Sequence, residues 1–462
     1  MLVIAVFWIA AVVPTPVHSA ASAILCVAPT PLPTTAPCTN QTAYTRIQAA
    51  VKAAMSGDAI RVAGGVYRDS SDIYVVSIID KSLTITGGYT TSNWQAPSSA
   101  SITVIDGQDV RGGVQVYGES AVTLERLTIT HGRNNTGGGI DSNIRSDYTL
   151  TLKDLLVTNN TASFSGGGVF SVSGTTVATR VQIVNNISNE DAGGFYGFHL
   201  IGENCTIADN TAARNGGGVS ALYMDLSDTL VAGNTATTGD GGGIFAGSDG
   251  GATIALTRTQ VLENSAGGNG GGIFMDNIAS AQLSWTLLGN NTAQRGNAIL
   301  IQPGFNTSQG VLQNVTISAA TVTTGSAIQV GTFLPANPFL LTLHNTVINN
   351  YAVGLQRQSS TTINGDYNAF TNLTTPQIVD GQPAALPFAT VVTTEPKFIN
   401  PATNDFRLVE DSPLRDAGNP NLNYSGQRDL DGIAVPVGAR VDIGGYEYIS
   451  RANKAYLPLL SS

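Results

Sequence analysis

Residues 207–245 read IADNTAARNGGGVSALYMDLSDTLVAGNTATTGDGGGIF and contain the same pattern twice. An apolar residue, two variable positions and an asparagine (Ile207-Ala208-Asp209-Asn210) precede a glycine triplet, which begins at Gly216 and again at Gly241. Further triplets begin at Gly137, Gly166 and Gly270, with degenerate copies at Ala192, Gly296 and Gly325. Successive starts are 29, 26, 24, 25, 29, 26 and 29 residues apart. Leu156-Val157-Thr158-Asn159 and Val261-Leu262-Glu263-Asn264 are further examples of the apolar-to-asparagine lead.

A unit of about 25 residues holds two or three short strands and cannot bury its own apolar face, so it must stack on copies of itself. Glycine permits the sharp, positive-φ turns between strands. Asparagine at one place in successive units can stack into an amide ladder along the stacking axis. The expected fold is therefore all-β: a single-stranded right-handed parallel β-helix, or solenoid. A short N-terminal capping helix and an irregular β C-terminal cap are expected to complete it.

Strand alternation assigns the faces. Val169 and Ser171, Ile244 and Ala246, and Ile273 and Met275 flank a position one residue apart and are expected to point inward. The residue between them is Phe170, Tyr196, Ser220, Phe245 or Phe274 in five consecutive units, and should point outward. With coils about 4.8 Å apart, these rings read either as a nearly continuous binding stripe or as a ladder of like side chains supporting one another. The candidate ligand-binding residues are Phe170, Tyr196, Phe245 and Phe274. One helical signal stands out: in Tyr44 to Met55, Ile47, Val51 and Ala54 share a face, which suits a cap over the open end of a solenoid.

Only 12% of the 462 residues are charged and the net charge is −10. An acidic chain without a basic stripe excludes a nucleic-acid partner. An apolar run from Leu2 to Val13, then Pro14, Pro16 and small residues near Ala20 and Ala23, resembles a secretory signal, although no Lys or Arg precedes it. The true start of translation is therefore left open, and no other segment reads as membrane-spanning. In an exported chain Cys26 and Cys38, which bracket a proline-rich segment, are candidates for a disulfide, leaving Cys205 as a small hydrophobe within the repeats. Four scattered histidines and three cysteines give no metal-ligand spacing, and no cofactor is expected. The expected layout is a signal over 1–23, an N-terminal cap and first coil over 24–62, the solenoid over 63–370, a C-terminal capping segment over 371–450, and an apolar tail over 451–462.

Several stretches resemble known families. Ile47-Gln48-Ala49-Ala50, Gly57-Asp58-Ala59-Ile60 and Gly65-Val66-Tyr67 resemble the opening of pectin-lyase-like right-handed β-helices. The asparagine followed by Gly-Gly-Gly-Ile resembles the repeats of polymorphic outer-membrane proteins, with Ile, Leu or Val where those carry Phe. Glu395-Pro396-Lys397-Phe398, Asp405-Phe406-Arg407-Leu408, Ser412-Pro413-Leu414-Arg415-Asp416-Ala417-Gly418, Arg428-Asp429-Leu430-Asp431-Gly432 and Asp442-Ile443-Gly444-Gly445-Tyr446-Glu447 resemble the closing segment of choice-of-anchor Q proteins. The resemblance implies a secreted or cell-surface bacterial β-helix.

The pectin-lyase-like group includes polysaccharide lyases and glycosidases, but fold does not carry function. A lyase needs Lys or Arg as base and often acidic Ca²⁺ ligands, yet Lys153 is the only lysine between 82 and 396. Arg126, Arg145, Arg180 and Arg258 fall one per coil. A hydrolase needs two or three converging carboxylates, for which Asp141, Asp191, Asp225, Asp249 and Asp276 are the candidates beside the triplets, with turn positions as the plainer explanation. His131 and His199 read as surface residues, and Asp429 and Asp431 as a tight turn. The expectation is a non-enzymatic surface protein for adhesion, envelope structure or carbohydrate contact, its partner a polysaccharide or another surface protein. A pectin-lyase-like polysaccharide lyase or glycoside hydrolase is the alternative.

Overall fold

The computed structural model describes residues 22–68, 72–98, 102–304, 308–331 and 338–450. The expected signal cleavage site near Ala20 and the apolar tail lie outside or at the margin of these residues. Parallel pairing runs without a break from Ile24–Val27 to 375–379, giving a β-solenoid of about 12 turns. The solenoid thus begins before residue 63 and continues past 370. Each coil contributes to three sheets. In the best-formed coils, 199–203, 206–208 and 219–221 lie in the first, second and third sheet and pair in register with 223–227, 230–232 and 244–246 of the next.

The interior is built from files of aliphatic side chains. On the second sheet Ile129, Val157, Ile183, Ile207, Val231, Val261 and Leu288 follow one another in register, and all are buried. Val169, Ser171, Ile244, Ala246, Ile273 and Met275 also point inward and are buried. Alternation alone placed these correctly.

The corners explain the pattern of the repeat. Between the second and third sheets runs a file of fully buried asparagines: Asn160, Asn186, Asn210, Asn234, Asn264 and Asn291. Each Oδ1 from Asn186 to Asn291 accepts both the backbone N–H and the Nδ2 of the preceding asparagine, at 3.0 Å. Asn210 Nδ2 also donates to Ile183 O at 2.8 Å. A buried amide left unpaired costs about 1–3 kcal/mol, so the file imposes one register on all the coils. The rung is Asn160 and not Asn159. Asn159 takes the preceding position at φ 54°, shared with Asp209 at 55° and Glu263 at 54°.

The triplet closes the same corner. Gly137, Gly166, Gly216, Gly241 and Gly270 have φ between 56° and 69°, a region closed to most side chains. The second and third glycines lie against the next coil: a Cβ on Gly242 would come within 2.5 Å of Gly271 O. At the corner between the first and second sheets one residue per coil is also left-handed: Arg126, Asp154, Arg180, Asn204, Asp228, Arg258 and Trp285, with φ of 47–55°.

The helix Ile47–Ala53 covers the N-terminal end with Ile47, Ala50 and Val51. Gln48 makes a strand-like contact: its Nε2 donates to Ser77 O at 3.1 Å and its Oε1 accepts from Ser77 N at 2.5 Å. One side-chain amide thus occupies both backbone groups of Ser77 in the edge strand Tyr74–Ile79, where another chain could otherwise pair. Cys26 and Cys38 form a disulfide, with 5.7 Å between their Cα atoms.

The C-terminal segment does two different jobs. An antiparallel hairpin (Thr375–Val379 with Gln382–Ala384), together with Leu386 and Phe388, closes the end of the core. Beyond it, residues 396–448 turn back and lie along the outside of the second sheet. Phe406, Leu430 and Tyr446 pack on Leu262 and Leu287, while Leu414 and Ile443 pack on Val347 and Ala369. This second piece is a lateral brace.

Candidate functional site

The third sheet carries one outward file across its coils: Ser77, Gln115, Asp141, Phe170, Tyr196, Ser220, Phe245 and Phe274. The rings do not form one stripe. Phe170 stacks on Tyr196 (centroids 5.3 Å apart, planes 9° apart) and Phe245 on Phe274 (5.4 Å, 13°). Ser220 interrupts them because it supplies no ring. Phe274 is only 4% exposed, and Leu300, the next residue in its file, is fully buried. The accessible rings are therefore Phe170, Tyr196 and Phe245, each half-buried.

Toward the N-terminal end the file becomes polar. The Tyr74 hydroxyl donates to Asp141 Oδ2. Asn134 Nδ2 donates to the Tyr74 oxygen at 2.6 Å and to Asp141 Oδ2 at 3.3 Å. Tyr74 reaches Asp141 across an intervening coil because its register partner there is Gly112, where a Cβ would come within 2.5 Å of the Tyr74 ring. Burial pushes the Asp141 carboxyl above its ordinary range, while hydrogen bonds from Tyr74, Thr136 and Asn134 pull it back. The Tyr74 phenol is also pushed up, first by burial and then by Asp141. Ser77 Oγ donates to Gln115 Oε1 at 2.8 Å and extends the network to the helix through Gln48. Tyr74, Gln115 and Asn134 carried no periodic signal, because their coils lie before or at the first triplet.

The other chemistry-bearing residues occupy separate places. The Asp191 carboxylate accepts the Asn215 N–H, Asn215 Oδ1 that of Asp240, and Asp240 Oδ1 that of Asn269, at 2.7–3.0 Å. This is a second cross-coil ladder just before the triplets. Asp225 pairs with His199 on the first sheet (Oδ2 to Nε2, 3.2 Å). His131 Nδ1 lies 3.6 Å from Asp106 Oδ1, and Asp106 also takes two bonds from Arg68. The side chain of Asp249 lies outside the described residues. Asp141, Asp191 and Asp225 thus belong to three distinct networks.

Arg145, Arg180 and Arg258 are held in ion pairs, while the buried Arg126 Nε has no hydrogen-bond partner. Arg180 makes a two-pronged pair with Asp154 (2.6 and 2.9 Å), as does Arg258 with Asp228 (2.6 Å each). Arg145 pairs with Glu119 and Asp147. Asp154 and Asp228 were not singled out from the sequence; each lies one coil before its arginine. Asp429 does sit in a tight turn, accepting the Ile433 N–H at 2.7 Å.

With this geometry in hand, the comparisons with known proteins speak to the fold. The family model described as right-handed β-helix region matches residues 89–258. No curated protein matches the chain. Among solved structures, the crystal structure of pectate lyase Pel9A is similar at 15% identity and a TM-score of 0.43, over 93% of this chain and 97% of that one. The chain carries a right-handed β-helix region, which the structure continues on both sides as a parallel β-solenoid.

Proposed function

We propose that this protein is a secreted or cell-surface, non-enzymatic β-helix that contacts carbohydrate through the outward file of its third sheet. The observation that carries this reading is the run of Tyr74, Asp141 and Asn134 directly beneath the Phe170–Tyr196 ring pair. Ring surfaces beside hydrogen-bonding groups suit a sugar, which has apolar C–H faces and polar hydroxyl edges. Arg145, Arg180 and Arg258, and the aspartates Asp191 and Asp225, which a lyase or hydrolase could use, are held in cross-coil pairs and ladders. Export fits the Cys26–Cys38 disulfide. The repeats similar to those of polymorphic outer-membrane proteins and the closing segment similar to choice-of-anchor Q proteins fit an envelope protein of adhesive or structural role.

A glycan array on the full chain, paired with reducing-sugar and unsaturated-uronate assays, tests the reading. The expected result is binding that Phe170→Ser weakens, without turnover. Turnover on a polysaccharide would establish the alternative, an enzyme of the pectin-lyase-like group. Asp141 would then be its first candidate acid, because burial raises its carboxyl.

A further inference from the structure

A groove of about 490 Å³ opens between the helix Ile47–Ala53 and the first strands of the third sheet. Its polar wall is Gln48, Ser77, Gln115 and Tyr74. Its apolar rim includes Ile73 and Ile79, which are 72% and 51% exposed. Ser77 and Gln115 open the same file that continues through Asp141 to Phe170 and Tyr196. Groove, carboxylate and ring pair therefore lie on one line parallel to the axis, with Ser77 roughly 14 Å from Phe170 at the usual strand spacing.

The charges along this line are unevenly compensated. Lys52 faces Asp72 at 3.9 Å. Lys81 Nζ donates to Val51 O, Lys52 O and Ala54 O, closing the helix. Both ammonium groups beside the groove thus have anionic or carbonyl partners. Asp141, by contrast, is hydrogen-bonded by neutral groups, those of Tyr74, Asn134 and Thr136. A carboxylate-bearing sugar laid along this line would meet an uncompensated like charge in a partly desolvated place. A hydroxyl would donate to it.

We infer that the file from Ser77 to Tyr196 is an axial track for a neutral polysaccharide, one end seated in the groove and the other against the Phe170–Tyr196 rings. This deepens the carbohydrate reading and rests on it. The track discriminates against uronates through Asp141 and holds hydroxyls through Gln115.

Calorimetric titration of the full chain with cellohexaose, xylohexaose, mannohexaose and hexagalacturonate tests the inference, with thermal melts to verify folding. At least one neutral hexaose is expected to bind about tenfold or more tightly than hexagalacturonate, a gap of about 1.4 kcal/mol. Gln115→Ala should weaken the neutral ligand about tenfold. Asp141→Asn, nearly isosteric, should weaken the neutral ligand while strengthening hexagalacturonate, a crossed response that a merely structural role would not give. Tighter binding of hexagalacturonate by the native chain overturns the inference, as does neutral binding indifferent to Gln115→Ala and Asp141→Asn. Binding to none of the four hexaoses alongside other array hits overturns the track alone, and a silent array overturns the carbohydrate reading with it.

Discussion

The middle coils and the C-terminal brace both bury polar side chains, but by opposite chemistry. From Asn160 to Asn291 a file of buried neutral amides runs along the coils, each bonded to its copy in the next. In the brace they are carboxylates, each used once to tie backbone N–H groups. Asp429 accepts from Ile433 and Glu447, Asp442 from Asp416 and Tyr448, and Glu447 from Val437 and Asp442. A repeated structure can satisfy a buried amide with another amide, because donor and acceptor recur at the coil spacing. A unique loop has no copy to lean on. It needs acceptors of higher capacity, and those titrate.

The two regions should therefore fail differently. The largest single effect is expected in the brace, where Phe406 is fully buried against Leu262 and Leu287. Phe406→Ala should cost about 3–5 kcal/mol, confined to the brace because a solenoid's coils are held by their neighbours. Hydrogen exchange should show lost protection at Leu430 and Tyr446 with the coils near Val169 unchanged; equal loss in both would mean the brace and coils unfold as one unit.

In the coils, Asn210→Ala removes the acceptor of Asn186 N and Nδ2 and the donor to Ile183 O. Asn186 Nδ2 keeps Val157 O, so two of these three groups lose their side-chain partner outright, and the expected loss is about 3 kcal/mol, read as a shift in the denaturant midpoint. Asn159→Ala, one residue earlier, removes no rung and should cost under about 1 kcal/mol, mainly from its positive φ. A reversed order would show that the ladder does not set the register.

The titrating groups give the brace its own pH dependence. Burial raises Asp429 and Asp442 to about 6 and Glu447 to about 7, from ordinary values of 3.8, 3.8 and 4.5. The folded brace holds these protons more tightly than the unfolded chain does. Its stability is then greatest below about pH 4 on this account, falls as pH rises through 6–7, and levels off above. At about 1.4 kcal/mol per pKa unit, one such shift alone corresponds to a change on the order of 3 kcal/mol. Trp285, buried beneath Tyr424 and bonded to Gln427 Oε1 at 2.8 Å, reports on the brace. Its fluorescence transition should move to lower temperature between pH 5 and pH 7.5, while the far-ultraviolet dichroism of the amide-laddered coils moves less.

This contrast also marks what the sequence makes legible. Periodicity located the coils, the inward files such as Val169 and Ser171, and the helix over the first coil, because those features repeat or follow a face. The asparagine rung was displaced by one at Asn159–Asn160, since two adjacent asparagines satisfy the same spacing and only the backbone conformation separates them. The brace's docking surface had a signal in the outward positions of the second sheet, which change from Gln182 and Thr206 to Leu230, Gln260 and Leu287. The network at Tyr74, Asn134 and Asp141 had none. Tyr74 and Asp141 are 67 residues apart, and irregular coils set their meeting.

The smallest expected effect concerns Cys205, and it tests whether the repeat or the residue decides a rung. Cys205 is buried and unbridged. It follows the left-handed corner residue Asn204, as Thr229 follows Asp228 and Thr259 follows Arg258. Thr229 Oγ1 donates to Ser227 O at 2.8 Å and Thr259 Oγ1 to Thr257 O at 3.2 Å, each two residues back. The Cys205 thiol does the same toward Glu203 O at 3.4 Å. Sulfur is the weaker donor, and burial holds the thiol above its ordinary pKa, so the group serves the corner and not reactivity. Cys205→Thr should therefore change stability by less than about 1 kcal/mol, of either sign, because the hydroxyl improves the bond while a β-methyl replaces the sulfur volume. Cys205→Asp, which buries a charge at the same rung, should be far worse. Denaturant melts of the two variants measure this. A Thr variant as damaged as the Asp variant would show that Cys205 is more than a substitute for the threonine the next two coils carry.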